Sequence, residues 1–161
     1  MKDEKLQTTK LTSFLVIGYG NQLRGDDGIG PQVAEAVEQW NLPQIQVKSL
    51  HQLTPELADD LAKVDCAIFV DAWMTESSDF SGVKVEKIEP VSAGNLLLGH
   101  ASNPRSLLAI ALTLYGNSPQ SWLISVPGIN FEFSDRLSPS AETGVKAALE
   151  QIQRLISPEI I

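Results

Sequence analysis

The chain has 161 residues, of which 43% are hydrophobic and 20% are charged, and its formal net charge is −8. This length fits one globular domain over residues 1–161, in which we expect residues 1–11 to be flexible. The acidic balance disfavours nucleic acid as a partner, because nucleic-acid binding draws most of its affinity from Lys and Arg. The chain shows neither a signal peptide nor an apolar run of roughly 20 residues, so we expect a cytoplasmic protein without membrane contact. We also expect a monomer.

Apolar runs of strand length alternate with helical patterns along the chain, which indicates a parallel β-sheet covered by helices. We therefore predict an α/β fold, a single-domain three-layer α/β/α sandwich with a mostly parallel, twisted sheet of about five strands. The predicted strands are 13–18, 45–50, 66–70, 83–88 and 122–126, and the predicted helices are 31–40, 55–64, 104–115 and 139–156. Charged residues interrupt the 83–88 strand, which is typical of an edge strand with one solvated face.

Three of the predicted helices begin with a polar residue followed by proline. The polar residues are Thr54, Asn103 and Ser138. Their side-chain oxygens can accept a hydrogen bond from a backbone N–H of the first turn, and proline lacks the N–H that would have no partner there. We predict each of the three as the N-cap of its helix.

The segment GYGNQLRGDDGIG, residues 18–30, lies between the first predicted strand and the first predicted helix. A glycine-rich turn in this place usually binds phosphate through backbone N–H groups and the positive end of the helix. Asp26 and Asp27 would repel a phosphate, and Leu23 stands at the third glycine position of the dinucleotide fingerprint. We therefore predict that the loop offers oxygens to a cation, a water or a peptide, and that no organic cofactor is used.

Three candidate ligands are placed on one rim of the predicted sheet. Asp27 follows the first strand, Asp71 ends the third strand, and His100 lies in a turn just before a helix. In open α/β sheets ligands bind beyond the carboxyl ends of the strands. Two carboxylates and one imidazole form a mixed oxygen and nitrogen ligand set with further positions open, which suits a metal site that performs chemistry.

Each of these polar residues also has a structural interpretation. Asp71 could simply be the polar residue at which a strand reaches the surface, and His100 could be an ordinary loop histidine. Asp26 could cap the helix near Pro31 or bond loop amides. His51 follows the second strand on the same rim, and we favour a solvent-facing position over a role behind the ligands.

Covalent acyl chemistry has little support in this chain. The single cysteine, Cys66, begins the apolar run 66–70, where a small buried side chain fits better than a reactive thiol. The chain also lacks the G-x-S-x-G elbow of serine hydrolases. The remaining possibilities are hydrolysis and ligand binding by carboxylates, with a metal or a bound water.

At these residues the chain resembles the hydrogenase maturation proteases. The resemblance covers nearly the whole chain and rests on the motif G-x-G-N-x-L-x-x-D-D/E-G-x-G at residues 18–30, on Asp71 with Ala72, and on the histidine of GHASNP, His100. It implies an endopeptidase that removes the C-terminal extension of the large-subunit precursor of a [NiFe] hydrogenase after nickel insertion.

The resemblance also implies roles for individual residues. Asp27, Asp71 and His100 would bind nickel that the substrate supplies, and Asp27 or Asp71 would be the general base for an attacking water, in an aspartic-type or metal-assisted mechanism. Asn21, Asp26 and His51 would contact the substrate or support the ligands.

Two further segments bear on the choice of substrate. The stretch VPGINFEFSDRLSP, residues 126–139, resembles members that serve cytoplasmic bidirectional hydrogenases. The stretch HQLTPEL, residues 51–57, differs from the glycines that many relatives have after the second strand. Substrate contacts are therefore not transferred to it.

Two other functions compete with the protease. A non-catalytic maturation chaperone could bind nickel or the precursor through the same residues, and it is favoured by the lack of an unmistakable nucleophile. A small-molecule hydrolase on the same sheet would need a deep, closed pocket. The precursor's mass after mixing distinguishes the protease from the chaperone.

Overall fold

The computed structural model describes residues 11–75, 82–92 and 103–157. Within these ranges one sheet contains the strands β1 (Phe14–Tyr19), β2 (Ile45–Leu50), β3 (Cys66–Met74), β4 (Lys84–Ile88) and β5 (Gln120–Gly128). The helices are α1 (Ile29–Glu38), α2 (Leu57–Ala62), α3 (Pro104–Tyr115) and α4 (Pro139–Ile156), and a short 3-10 helix, Gly25–Gly28, precedes α1. No helix in the described part of the chain is long and apolar enough to cross a bilayer.

The strand order is β2-β1-β3-β5-β4, with β1 parallel to β2 and β3, and β3 parallel to β5. Only β4 runs antiparallel, against β5. It is an edge strand in which every residue except Ile88 is exposed, so the predicted edge position is confirmed. The predicted mostly parallel sheet is confirmed as well.

The two faces of the sheet carry separate cores, because successive residues of a strand point to opposite sides. Val16 and Val70 pack on the face covered by α1 and α4. Ile17 and Phe69 pack on the face covered by α2 and α3. Helices therefore cover both faces, which confirms the predicted three layers.

Two of the three predicted helix caps are present. The side chain of Asn103 accepts the backbone N–H of Arg105 at 2.8 Å, and that of Ser138 accepts the N–H of Ala141 at 3.2 Å. Both helices begin at the proline that follows the cap. Their predicted bounds, 104–115 and 139–156, are confirmed.

The predicted N-cap at Thr54 is wrong. Helix α2 begins at Leu57, and Thr54 lies in the turn before it, where its carbonyl accepts the N–H of Leu57 at 3.1 Å. The carbonyl of Pro55 accepts the N–H of Ala58 at 3.0 Å in the same way. These bonds span three residues instead of four, so the chain forms a tighter turn before the helix proper.

Other predicted boundaries also shift: β5 extends over Gln120–Gly128 instead of 122–126, and α1 and β3 differ as follows. Helix α1 begins at Ile29 instead of Pro31, because the 3-10 helix leads directly into it. Strand β3 was predicted to stop at residue 70, but it continues to Met74, since its pairing with β5 extends from Asp71 opposite Ser125 to Met74 opposite Gly128. Asp71 is therefore the first residue after the buried part of β3 and does not end the strand.

The start of α1 approaches β1 and β3 so closely that a side chain does not fit. A Cβ added at Gly30 would lie 2.6 Å from the backbone nitrogen of Tyr19 and 2.7 Å from the carbonyl oxygen of Val70. These are backbone atoms of two central strands, and they cannot move aside without disturbing the sheet. Gly30 therefore fixes how close the glycine-rich loop lies to the carboxyl ends of the strands.

We expect Gly30→Ala to lower the free energy of unfolding by about 3 kcal/mol or more, because the added methyl group overpacks backbone against backbone. Gly116→Ala is the matched control. Gly116 ends α3 with φ +77 and has open space around it, so its substitution should cost only about 1 kcal/mol of backbone strain. Urea unfolding of both variants measures the difference, and equal losses would contradict the close approach at Gly30.

Candidate functional site

The carboxyl ends of β1 and β3 lie side by side and bring the glycine-rich loop next to Asp71. In the parallel register Gly18 lies opposite Val70. Tyr19 and Asp71 are the next residues of the two strands, so their side chains leave the sheet on the same face. The loop after Tyr19 passes through the 3-10 helix that contains Asp26 and Asp27.

Asp26 is fully buried and ties this loop to the one that joins β5 to α4. Its Oδ2 accepts the backbone N–H groups of Ile129 at 2.9 Å and Asn130 at 3.1 Å, and the hydroxyl of Ser138 at 2.8 Å. Its Oδ1 accepts the backbone N–H of Ser138 at 2.8 Å. Three donors therefore converge on Oδ2 and one binds Oδ1, so both oxygens of the carboxylate are engaged inside the protein.

The electrostatics of Asp26 agree with this assignment. Burial raises the pKa of Asp26, but the hydrogen bonds from Ser138, Ile129 and Asn130 outweigh burial and leave that pKa below its usual value. Asp26 does not cap α1; it bonds loop amides, and these amides come from a distant loop. It therefore supports the site from behind and offers no free oxygen to a substrate or a metal.

Asp27, the next residue, is partly exposed and has different partners. The backbone N–H of Asn21 donates to its Oδ2 at 2.7 Å. The side-chain oxygen of Asn21 accepts the N–H of Leu23 at 2.9 Å and tightens the same loop. Asn21 thus orients Asp27 through its backbone, and most of the acceptor capacity of Asp27 is not used by this bond.

Asp71 lies in a markedly different environment. The pKa of Asp71 is raised to about 6: burial raises it most, the negative charge of Asp27 adds to this, and hydrogen bonds from the Tyr19 hydroxyl and the Ala72 N–H act in the opposite direction. Burial, the charge of Asp71 and the same hydrogen bond all raise the pKa of Tyr19. The Tyr19 hydroxyl therefore stays protonated and donates to the Asp71 carboxylate.

Asp27 and Asp71 are thus close enough for the charge of one to affect the ionisation of the other. Two carboxylates that repel each other, and whose lone pairs are not all used by hydrogen bonds, can bind a divalent cation or share a proton. The third predicted ligand, His100, lies outside the described residues. Among the residues that are described, no group of three or more His, Cys, Asp or Glu side chains could hold a metal ion.

Two predicted minor roles also have a structural outcome. His51 is exposed in the turn after β2, in agreement with the solvent-facing interpretation. Cys66 is buried, and burial raises the pKa of its thiol. This agrees with a structural cysteine, since the thiolate is the reactive form.

Sequence reasoning missed two residues that shape the site. Ser138 was identified as a helix cap but not as a partner of Asp26, and Tyr19 was counted only as part of a loop. The sequence carried one usable signal for Tyr19: it ends a central strand next to the one that contains Asp71. With the register of the two strands, that position predicts the contact.

Exposed apolar side chains border the two carboxylates on the segments that end β3 and follow β1 and β5. Five large ones lie there: Leu23, Trp73, Met74, Ile129 and Phe133, the last 85% exposed. The backbone of Ser134 donates to Leu23 at 2.9 Å, and that of Thr75 donates to Gly128 at 2.9 Å, so these segments are joined. Exposed apolar side chains that form one patch are typical of protein or peptide binding sites.

Comparison with known proteins gives a consistent set of relatives. The chain is 31% identical over 144 residues to the hydrogenase 2 maturation protease of Escherichia coli K12, covering 86% of this chain and 87% of that protein. The solved structure of the E. coli hydrogenase maturating endopeptidase HybD superimposes with a TM-score of 0.73 at 26% identity, covering 92% of this chain and 94% of that one. No family model matches the chain.

A more distant solved structure has the same fold. It is the [NiFe] hydrogenase maturation protease HycI of Thermococcus kodakarensis KOD1, with a TM-score of 0.67 at 20% identity over 98% of this chain and 99% of that one.

We expect Asp26→Asn to lower the free energy of unfolding by about 2 to 4 kcal/mol, because an amide NH₂ would then face buried N–H and O–H donors. Asp27→Asn changes the adjacent carboxylate in the same way but affects one hydrogen bond at a partly exposed position, so it should cost about 1 kcal/mol or less. Urea unfolding of the two variants compares them. Equal losses would show that Asp26 does not hold the two loops together.

Asp71 should make stability depend on pH. Its folded-state pKa of about 6 lies above the usual 3.8, so folded protein holds the proton more tightly and loses stability as the pH rises through this window. Asp71→Asn cannot ionise, and between about pH 4 and about pH 8 it should gain about 1 to 3 kcal/mol relative to wild type.

The measurement is urea unfolding at both pH values in the presence of EDTA, which keeps adventitious metal from the site. Asp135→Asn is the control, because Asp135 is an exposed aspartate of the β5–α4 loop. This variant shows what the loss of one surface carboxylate does by itself. A difference for Asp71→Asn that is the same at both pH values would mean that Asp71 ionises as an ordinary aspartate.

Proposed function

This chain belongs to the hydrogenase maturation proteases and is a peptidase, and from this premise we propose that it removes the C-terminal extension from the nickel-loaded large-subunit precursor of a [NiFe] hydrogenase. The relatives that show the family are named for hydrogenase maturation. The precursor is therefore the partner, and its nickel is part of the substrate.

The observation that carries this proposal is the proximity of Asp27 and Asp71 at the carboxyl ends of β1 and β3. Both are at least partly exposed on the rim, and they repel each other. Carboxylates and imidazoles are ligands that nickel accepts, and we propose that these two aspartates, together with His100, engage the nickel of the precursor. A precursor without nickel would lose this coordination, which makes metal loading a condition for cleavage.

The same two aspartates are the candidates for the general base. In this proposal one of them takes a proton from the water that attacks the scissile peptide bond. Nickel, when bound, would polarise that water or the scissile carbonyl. Asp26 takes no part in this step, since its lone pairs are occupied by Ser138, Ile129 and Asn130.

The surroundings of the carboxylates favour a polypeptide substrate over a small molecule. Leu23, Ile129 and Phe133 are exposed on two loops that are hydrogen-bonded to each other beside the site. Large apolar side chains that remain in solvent are typical of surfaces that bind other proteins. We propose that the precursor segment around the cleavage site lies on them.

The residues that resemble the bidirectional subtype belong to this border. Segment 126–139 contains the end of β5 and the loop that Asp26 holds. We propose that this loop helps to select the large subunit of a cytoplasmic bidirectional hydrogenase. A precursor of that subtype should then be processed faster than one of another [NiFe] hydrogenase.

Alanine substitution tests the three ligands. We expect Asp27→Ala, Asp71→Ala and His100→Ala each to slow processing of the nickel-loaded precursor by about 100-fold or more, because each removes a ligand or the general base. Glu150→Ala is the control and should process at the wild-type rate, since Glu150 is exposed in the second half of α4, outside the proposed binding loops. The readout is the gel shift from precursor to mature subunit, with unfolding curves to confirm that each variant is folded.

The outcomes separate the alternatives. Full activity of all three variants would contradict the ligand assignment. Normal processing of a nickel-free precursor would remove the metal requirement and leave the peptidase. A precursor whose mass never changes with wild-type protein would instead support a binding chaperone.

A further inference from the structure

Tyr19 connects the two halves of the site. It is the last residue of β1 and packs with its ring against the core between the sheet and helices α2 and α3. Its hydroxyl donates to the carboxylate of Asp71 on the adjacent strand. Two residues further along, the backbone N–H of Asn21 donates to Asp27 at 2.7 Å.

We propose that Tyr19 is a positioning residue, which fixes the carboxylate of Asp71 so that its remaining lone pairs are available to the nickel of the precursor. This inference rests on the proposed function. It adds a residue outside the ligand set, and it assigns to the end of β1 the placement of both carboxylates.

The argument begins with the freedom of an aspartate side chain. A partly exposed carboxylate rotates readily about its last bond, which is a broad torsion. Two donors from different strands restrain that of Asp71: the N–H of its neighbour Ala72 in β3 and the hydroxyl of Tyr19 in β1. With about four lone-pair sites on the group, these two bonds leave about two for another ligand.

Tyrosine suits this role because it is rigid. Its side chain has two rotatable bonds and packs against the cluster that contains Ile17, and Leu50 lies opposite it in the parallel register. The position of the hydroxyl is therefore already restricted before it bonds to Asp71. Catalytic groups lose rate steeply when they are misplaced by about 1 Å. The hydroxyl is therefore expected to matter more for the rate of cleavage than for binding of the precursor.

The test compares Tyr19→Phe with Tyr115→Phe in the full chain. The chain contains two tyrosines, and Tyr115 is exposed at the end of α3, away from Asp71. With nickel-loaded precursor, Tyr19→Phe should lower kcat by about 10-fold and change KM by less than about twofold, since the lost contact acts on orientation. Tyr115→Phe should match wild type in both.

A double-mutant cycle on stability gives a second readout that does not depend on activity. If the hydrogen bond exists in solution, Tyr19→Phe should raise the unfolding equilibrium constant by about fivefold in wild type and by less than about twofold in an Asp71→Ala background. Residues that do not interact would show the same change in both backgrounds.

The outcomes are distinct from those of the proposed function. If wild type processes the precursor and Tyr19→Phe keeps the wild-type kcat, the positioning role is wrong while the protease stands. A rise in KM without a fall in kcat, or equal stability changes in both backgrounds, would also overturn it. If wild type leaves the precursor intact, the proposed function fails, and the inference that rests on it fails too.

Discussion

The buried carboxylate of Asp26 is the constraint on which the site depends. A charged group without solvent is tolerated only when hydrogen bonds replace the water it has lost. Ser138, Ile129 and Asn130 supply those bonds from 103 to 112 residues away. The carboxylate of Asp26 thereby joins the loop after β1 to the loop after β5, and backbone hydrogen bonds such as that from Ser134 to Leu23 add to the connection. Asp27 is the next residue, so its place on the rim is set by the same contact.

The two neighbouring aspartates differ in role: Asp26 holds the structure, and Asp27 is available for chemistry. They lie in a 3-10 helix, where successive residues point about 120° apart. One side chain enters the protein and the other leaves it. Asp26 is fully buried, whereas Asp27 is partly exposed. The adjacent acids therefore do not form a shared-proton pair with each other; the repulsion in this site is between Asp27 and Asp71.

The sequence predicted what local patterns determine and missed what long-range pairing determines. Helices α3 and α4 have their predicted bounds because a cap and a proline mark each start. Strand β3 exceeds its predicted end because β5 pairs with it beyond Asp71. The rim positions of Asp27 and Asp71 followed from topology, since carboxyl ends of parallel strands share an edge. The Asp26–Ser138 contact could not be predicted in this way, because the sequence of neither loop shows how the two loops pack against each other.

The electrostatics of Asp71 connect stability with the proposed selectivity. Burial and the charge of Asp27 both oppose its ionisation, so near neutral pH the folded protein is under some strain that a cation would relieve. A resident metal would relieve it permanently. If the cation arrives with the precursor, relief comes only with the correct substrate, and an empty precursor meets two repelling carboxylates. In the proposed mechanism the unfavourable pair would add to the difference in binding between loaded and empty precursor, because discrimination depends on that difference and not on absolute affinity.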